Sequence, residues 1–232
     1  MKKVSILLVI MLVWAGSAMA LPWDSLGSEW NVSGSMDYWT VTDLTTGEDG
    51  DSVFQIQMEQ AAYESGFGLY TVDENGDLLT KFEVFAPSQS PFAMVNVNFW
   101  NDNGNWKITK GYSADGDLTN DGWVDFDNKF GFYYDVDQNY NADGGTSGID
   151  YTFFTDNALN TEEAGEEHIM TAYNADYHWL YVYLDDQIGN GDGDFTDMTV
   201  FVNDVAPVPE PATLLLLGSG LVGLAFLKRR KS

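Results

Sequence analysis

The chain lacks cysteine, and its 232 residues include only two histidines and six prolines. Without cysteine there is neither a disulfide framework nor thiolate chemistry. His168 and His178 alone do not supply the ligands of a tetrahedral structural zinc site, which combines Cys and His. Stability must therefore come from packing, and any structural ion must be held through oxygen atoms.

The chain also has few positively charged residues. Residues 21–210 contain four lysines, no arginine and all 36 acidic residues, which gives this part a formal net charge of −32. Nucleic acid is excluded as a partner because phosphate binding needs clusters of Lys and Arg. The acidic field favours multivalent cations, although a strongly solvated surface that only confers solubility explains the same composition.

The N-terminus has the features of a secretory signal peptide. Lys2 and Lys3 precede an apolar run over residues 4–14, which is shorter than the roughly 20 residues of a membrane span. The small residues Ala18 and Ala20 suit a signal peptidase. We therefore expect residues 1–20 to be a signal peptide that is cleaved after Ala20.

The C-terminus combines a short motif, an apolar segment and a basic tail. The motif and the tail consist of Pro209, Glu210 and Pro211, and of Lys228, Arg229, Arg230 and Lys231. The apolar segment between them, residues 212–227, reaches about 24 Å as a helix, somewhat less than a hydrocarbon core of about 30 Å. The basic tail stays cytoplasmic by the positive-inside rule, which leaves the preceding residues outside.

This order of parts resembles the PEP-CTERM sorting signal of Gram-negative bacteria, here over residues 209–232 after a linker at 205–208. The resemblance implies recognition by a membrane-embedded exosortase, which cuts near Pro-Glu-Pro. It also implies transient insertion in the inner membrane, then delivery to the cell surface or extracellular matrix, commonly beside exopolysaccharide production. In that case signal peptidase and exosortase are processing partners.

Strand-like alternation dominates the middle of the chain, where apolar and polar residues alternate with period two. Nine strands are predicted, within residues 54–59, 67–72, 79–85, 95–99, 106–109, 129–136, 150–155, 179–185 and 198–203. Asn75-Gly76 between two apolar runs predicts a hairpin turn. We therefore expect an all-β domain over residues 51–204, an antiparallel β-sandwich or jelly roll, preceded at 21–50 by an N-terminal arm or a leading strand.

Three acidic loops place oxygen ligands at alternate positions, the spacing that lets successive side chains converge on a hard cation. The first has EF-hand-like spacing but carries Asn128 where a bidentate Glu is usual. The candidate calcium ligands are Asp117, Asp121 and Asp125 in the first loop, Asp137, Asn139, Asn141 and Asp143 in the second, and Asp192, Asp194 and Asp197 in the third. Asn, Asp and Gly also form turns readily, so a plain turn is the alternative at each loop.

The third loop carries a further resemblance. Residues 66–204 resemble a domain of unknown function of secreted bacterial proteins, whose hallmark is a Gly-Asp-x-Asp-Phe-x-Asp run that leads into a final strand. The matching residues are 191–195 and Asp197, whereas Asp185-Asp186-Gln187 replaces the usual run upstream. The resemblance implies calcium binding and attachment at the cell surface.

Two classes of function remain. The first is a non-catalytic protein of the cell surface or matrix, stabilised by calcium and associated with exopolysaccharide or biofilm. The second is a secreted polysaccharide hydrolase that uses two carboxylates as acid and base. No nucleophile motif is present and neither histidine has a recognisable catalytic partner, so we expect no enzymatic activity.

Overall fold

A computed structural model describes residues 22–34, 36–42, 49–59, 64–87, 92–111, 122–137, 151–161, 167–186, 193 and 195–208. Two short 3₁₀ helices, Pro22–Ser25 and Asn157–Leu159, accompany the strands. The strands are β1 (Trp30–Ser33), β2 (Trp39–Val41), β3 (Asp49–Glu59), β4 (Glu64–Val72), β5 (Leu78–Phe85), β6 (Met94–Asp102), β7 (Asn105–Lys110), β8 (Val124–Asp125), β9 (Gly131–Asp137), β10 (Tyr151–Phe154), β11 (Ile169–Asn174), β12 (Trp179–Leu184), β13 (Met198–Val202) and β14 (Val205–Pro207).

The strands form three antiparallel sheets. The largest has eight strands in the order β1-β11-β12-β13-β3-β6-β7-β8. A four-stranded sheet has the order β10-β9-β4-β5, and β14 pairs with β2 alone. The described residues contain no α-helix, and the all-β prediction is confirmed.

One hydrophobic core joins the two larger sheets. It takes Phe99 and Val182 from the eight-stranded sheet and Phe67 and Phe132 from the four-stranded sheet, all fully buried. Trp39 of β2 lies between them, with its ring 6.0 Å from that of Phe132 in β9 and 5.5 Å from that of Tyr173 in β11. The sheets therefore bury their inner faces against each other, which is where aromatic and β-branched residues contribute most.

Both N-terminal and C-terminal parts of the described chain enter these sheets. β1 pairs with β11 at the edge of the eight-stranded sheet, within the interval that the sequence assigned to an arm or leading strand. The interval assigned to a linker, residues 205–208, contains β14, which pairs with Thr40 and its neighbours in β2. Pairing with a distant strand thus gives regular structure to residues 205–207, whose local pattern does not predict it.

The Asn75-Gly76 turn joins β4 to β5 as expected. Gly76 has φ +88°, a left-handed conformation that glycine tolerates without strain. The Asp73 carboxylate accepts hydrogen bonds from the backbone N–H groups of Asn75 (2.8 Å) and Asp77 (2.9 Å). These bonds hold the pKa of Asp73 below its ordinary value.

The signal peptide at 1–20, its cleavage residues Ala18 and Ala20, and the sorting segment at 209–232 lie outside the described residues. Within the described residues, no helix combines the length and apolarity that crossing a membrane requires.

Candidate metal centre

The site is built where two neighbouring strands of the large sheet end. Asp185 and Asp186 directly follow β12, and Asp197 directly precedes β13. The two strands are antiparallel, and Leu184 pairs with Met198 at the last position of the ladder. The residues that follow Leu184 and precede Met198 therefore meet at one end of the sheet, although they are separated by a loop in sequence.

Three carboxylates converge at this end. One oxygen from each of Asp185, Asp186 and Asp197 lies within 4.8 Å of the others. Among the described residues, this is the single group of three His, Cys, Asp or Glu side chains close enough to share a metal ion. The donors are all carboxylate oxygens, which Ca²⁺ and Mg²⁺ prefer and which zinc uses less readily than His or Cys.

Backbone hydrogen bonds fix two of the carboxylates. Asp197 Oδ2 accepts from the N–H of Asp186 at 2.8 Å, and Asp185 Oδ2 accepts from the N–H of Gly193 at 3.1 Å. Gly193 has φ +65°, a conformation that favours glycine, and its Cβ position is open. These two hydrogen bonds thus join the acidic residues after β12 to the residues before β13.

Burial of the three carboxylates raises the free-energy cost of keeping them all charged. Asp185 is 3% exposed and Asp186 is fully buried, while Asp197 is half-buried. Like charges taken out of water repel strongly unless a proton or a cation compensates them. A divalent cation bound by these oxygens would supply that compensation, as it does in oxygen-ligand sites generally.

The four lysines of residues 21–210 have partners elsewhere. Lys81 forms an ion pair with Asp135 at 2.7 Å, and Lys110 forms one with Glu83 at 3.3 Å. Lys107 and Lys129 lie over the aromatic rings of Trp100 and Tyr38, at 5.9 and 4.1 Å from the ring centroids. These contacts involve all four lysines, and this part of the chain has no arginine.

His168 borders the cluster without joining it. Its ring stacks on Phe153 with a centroid separation of 3.8 Å, and its Nδ1 lies 3.4 Å from the backbone oxygen of Asp185. The ring is 3% exposed and is not one of the grouped ligands. The backbone N–H of Asp185 also donates to the backbone oxygen of His168 at 3.0 Å, so His168 helps to set the position of Asp185.

The third predicted loop contributes one residue to this group, Asp197. Asp192 and Asp194 lie outside the described residues. Asp185 and Asp186 were not among the predicted ligands, because their approach to Asp197 depends on the pairing of β12 with β13. The available signal was two adjacent acids directly after an apolar strand.

The other two loops are described only in part. Asp125 lies in β8 and is exposed, and Asp137 ends β9 and is buried. Neither belongs to a group of three possible metal ligands among the described residues. The remaining candidates of these loops, Asp117, Asp121, Asn139, Asn141 and Asp143, lie outside the described residues.

A shallow polar cavity of about 540 Å³ lies beside β7 and β8. Lys107, Asp125 and Asp127 line it together with Trp106 and Phe126. Both carboxylates are exposed to solvent. This cavity is where a hydrolase that uses paired carboxylates would be sought.

Comparison with known proteins identifies the end of the chain. Residues 207–231 match the PEP-CTERM protein-sorting motif. The chain is thus an exosortase substrate, exported and sorted to the surface of a bacterium. No curated protein and no solved structure matches the chain.

Proposed function

We propose that the exported protein is a non-catalytic component of the cell surface or extracellular matrix, stabilised by calcium and associated with exopolysaccharide. The observation that carries the calcium part is the convergence of Asp185, Asp186 and Asp197 within 4.8 Å, at a place where Asp185 and Asp186 are almost completely buried. The sorting motif supplies the location at which the protein would meet both the ion and the polysaccharide.

Calcium is favoured over magnesium by the nature of the site. Ca²⁺ accepts six to eight oxygen ligands in flexible geometry, whereas Mg²⁺ demands a near-ideal octahedron and keeps several waters. Two strand ends and a connecting loop rich in Asp and Gly suit the more flexible ion. Extracellular calcium modules bind with Kd values of about 10⁻⁴ to 10⁻³ M, so the site would fill outside the cell.

Thermal unfolding of the exported protein tests the calcium part. At a free concentration ten times Kd, binding to the folded state contributes about 1.4 kcal/mol. For a domain of 150–250 residues this raises Tm by about 3–6 °C relative to excess chelator. Magnesium at the same concentration should give a smaller shift, and identical melting curves in calcium and in EGTA would remove the metal from the proposal.

Mass spectrometry of the mature protein from its host tests the processing. We expect Leu21 as the first residue and a C-terminus near Pro209-Glu210-Pro211, with the basic tail removed. A mature chain that retains Lys228 to Lys231 would contradict removal of the tail.

The hydrolase alternative has a direct test of its own. The purified protein is incubated with the polysaccharide of its host, and new reducing ends are measured beside an Asp125→Asn, Asp127→Asn double variant. Release of reducing ends that the double variant abolishes would place an active site in the cavity beside β7 and replace the non-catalytic proposal.

A further inference from the structure

The outward face of β12 is aromatic at every position. Leu180, Val182 and Leu184 point into the core and are fully buried. The alternate residues Trp179, Tyr181 and Tyr183 therefore face away from it. A sheet face turned to water usually carries polar side chains at such positions, so three consecutive rings require another explanation.

Neighbouring elements extend this row of rings. Phe201 of β13 is paired with Tyr181, with ring centroids 5.4 Å apart. Trp30 of β1 approaches Tyr181 from the other side, at 5.1 Å. Tyr177 stacks on Trp179 at 4.8 Å with an interplanar angle of 26°. We call Trp30, Tyr177, Trp179, Tyr181 and Phe201 the aromatic strip.

A small residue allows the strip to cross an intervening strand. β11 lies between β1 and β12, and its Ala172 is paired with both Val32 and Tyr181. The methyl group of Ala172 is fully buried beneath its neighbours. A larger side chain at this position would separate the rings of Trp30 and Tyr181.

The strip is open at one end and closed at the other. Tyr177 is 60% exposed and Trp179 is 41% exposed. Tyr183 is 4% exposed, because Trp23 covers it at 5.5 Å, and its burial raises the pKa of its hydroxyl. Trp23 in turn packs on Phe195 of the acidic loop at 5.4 Å. The covered end of this row of rings thus lies beside the candidate metal centre, and the exposed rings of Tyr177 and Trp179 lie at the opposite end of β12.

Charge indicates which partner fits. The strand residues beside the strip on this face include Val32, Gln55, Met170, Ala172, Asn174 and Thr199, which are uncharged, and Asp176 lies in the turn next to Tyr177. The whole chain nevertheless has a formal net charge of −26. This charge repels anionic polymers, anionic lipid and a second copy of the chain, while the strip itself is neutral. An uncharged partner is therefore favoured.

The chemistry of the exposed Trp and Tyr rings further limits the class of uncharged partner. Exposed Trp and Tyr faces pack against flat apolar surfaces, and their polar edges keep hydrogen bonds with water or ligand. A pyranose ring offers a face of C–H groups for such stacking and an edge of hydroxyl groups for hydrogen bonding. We propose that the aromatic strip binds an uncharged polysaccharide chain, laid across β12 and stacked on Trp179 and Tyr181. This inference rests on the association with exopolysaccharide that is part of the proposed function.

Affinity electrophoresis of the exported protein tests the strip. The gels contain dextran, hydroxyethyl cellulose, alginate or the purified extracellular polysaccharide of the host. We expect retardation by at least one uncharged polymer and none by alginate. Trp179→Ala and Tyr181→Ala should each weaken binding by about tenfold or more, since each removes one stacked ring. Trp179→Phe should retain most of the affinity.

A matched variant controls for loss of exposed apolar surface. Leu79→Ala removes a side chain that is 67% exposed on β5, in the other sheet, and should bind like the unchanged protein. Unfolding curves of each variant verify the fold.

The possible results separate the two proposals. If the unchanged protein binds no polysaccharide, both the strip and the association with exopolysaccharide fail. If it binds and the two Ala variants bind equally well, only the strip is overturned. If light scattering shows a dimer that Trp179→Ala dissociates, a second copy occupies the strip instead.

Discussion

Replacement of Asp197 by Asn is expected to shift the stability of the protein in opposite directions with and without calcium. The Asn side chain keeps an oxygen for the N–H of Asp186, whose bond to Oδ2 is 2.8 Å long. The change therefore removes a charge from the cluster and leaves the hydrogen bond to Asp186 in place. The response then depends on whether the cluster holds a cation.

The size of the effect without calcium follows from the separation. At 4.8 Å, the limit that encloses the three ligand oxygens, two unit charges repel by about 3.5 kcal/mol at an effective dielectric constant of about 20. Asp197 is half-buried, so solvent screening reduces the relief to roughly 1–2 kcal/mol. For a domain of this size, Tm in excess EGTA should rise by about 2–8 °C.

With calcium the sign reverses. The unchanged protein gains about 1.4 kcal/mol at ten times Kd, and loss of one carboxylate ligand removes most of this gain. Melting curves followed by circular dichroism in EGTA and across a calcium titration measure both effects. Asp77→Asn, at an exposed position in the β4–β5 turn, is the matched control and should change neither. A lower Tm for Asp197→Asn in EGTA, or an undiminished calcium shift, would refute the reasoning.

Two further variants test features that hold the fold. The buried Thr155 hydroxyl donates to the backbone oxygen of Asp37 (2.7 Å) and accepts from the N–H of Phe132 (3.1 Å). Thr155→Val preserves the volume but loses both bonds, so it should lower the free energy of unfolding by about 2–3 kcal/mol, more than Thr155→Ser does. Denaturant unfolding that ranks Val as the milder change would contradict this. The pKa of Asp73 is lowered by the turn N–H groups, so its contribution to stability is present above its unfolded pKa and is lost as pH falls through the folded pKa. The Tm difference between the unchanged protein and Asp73→Ala should therefore shrink below about pH 4, and a difference that stays constant from about pH 7 to about pH 3 would contradict this.

The sequence predicted the long strands well because burial of one face imposes period two. All nine predicted strands are present, including β12, where Leu180, Val182 and Leu184 alternate with aromatic residues. Of the five others, β1 and β2 lie in the interval 21–50, where an arm or a leading strand was expected, and β8, β11 and β14 were not predicted. β8 has two residues and β14 contains Pro207, and both owe their structure to partners elsewhere in the chain.

The sequence predicted that the candidate site binds a cation through carboxylates, but it did not predict which residues form the site. Acidic spacing near residue 197 indicated a cation, whereas the contribution of Asp185 and Asp186 follows from the strand register that sets Leu184 opposite Met198. The aromatic strip shows the same limit. Its Trp30 and Phe201 lie far apart in sequence, and only the order β1-β11-β12-β13 brings both beside Tyr181.

The position of β14 constrains how export and folding fit together. Val205 is fully buried in the core, and the N–H of Val208 donates to the backbone oxygen of Tyr38 at 2.9 Å. The sorting motif begins at residue 207, within this strand. A cut at Pro209-Glu210-Pro211 leaves β14 paired with β2, whereas a cut before Val205 would remove a core residue and expose Trp39 and its neighbours. Processing at the motif is therefore compatible with a domain that has already folded outside the membrane, and the basic tail can be lost without cost to the core.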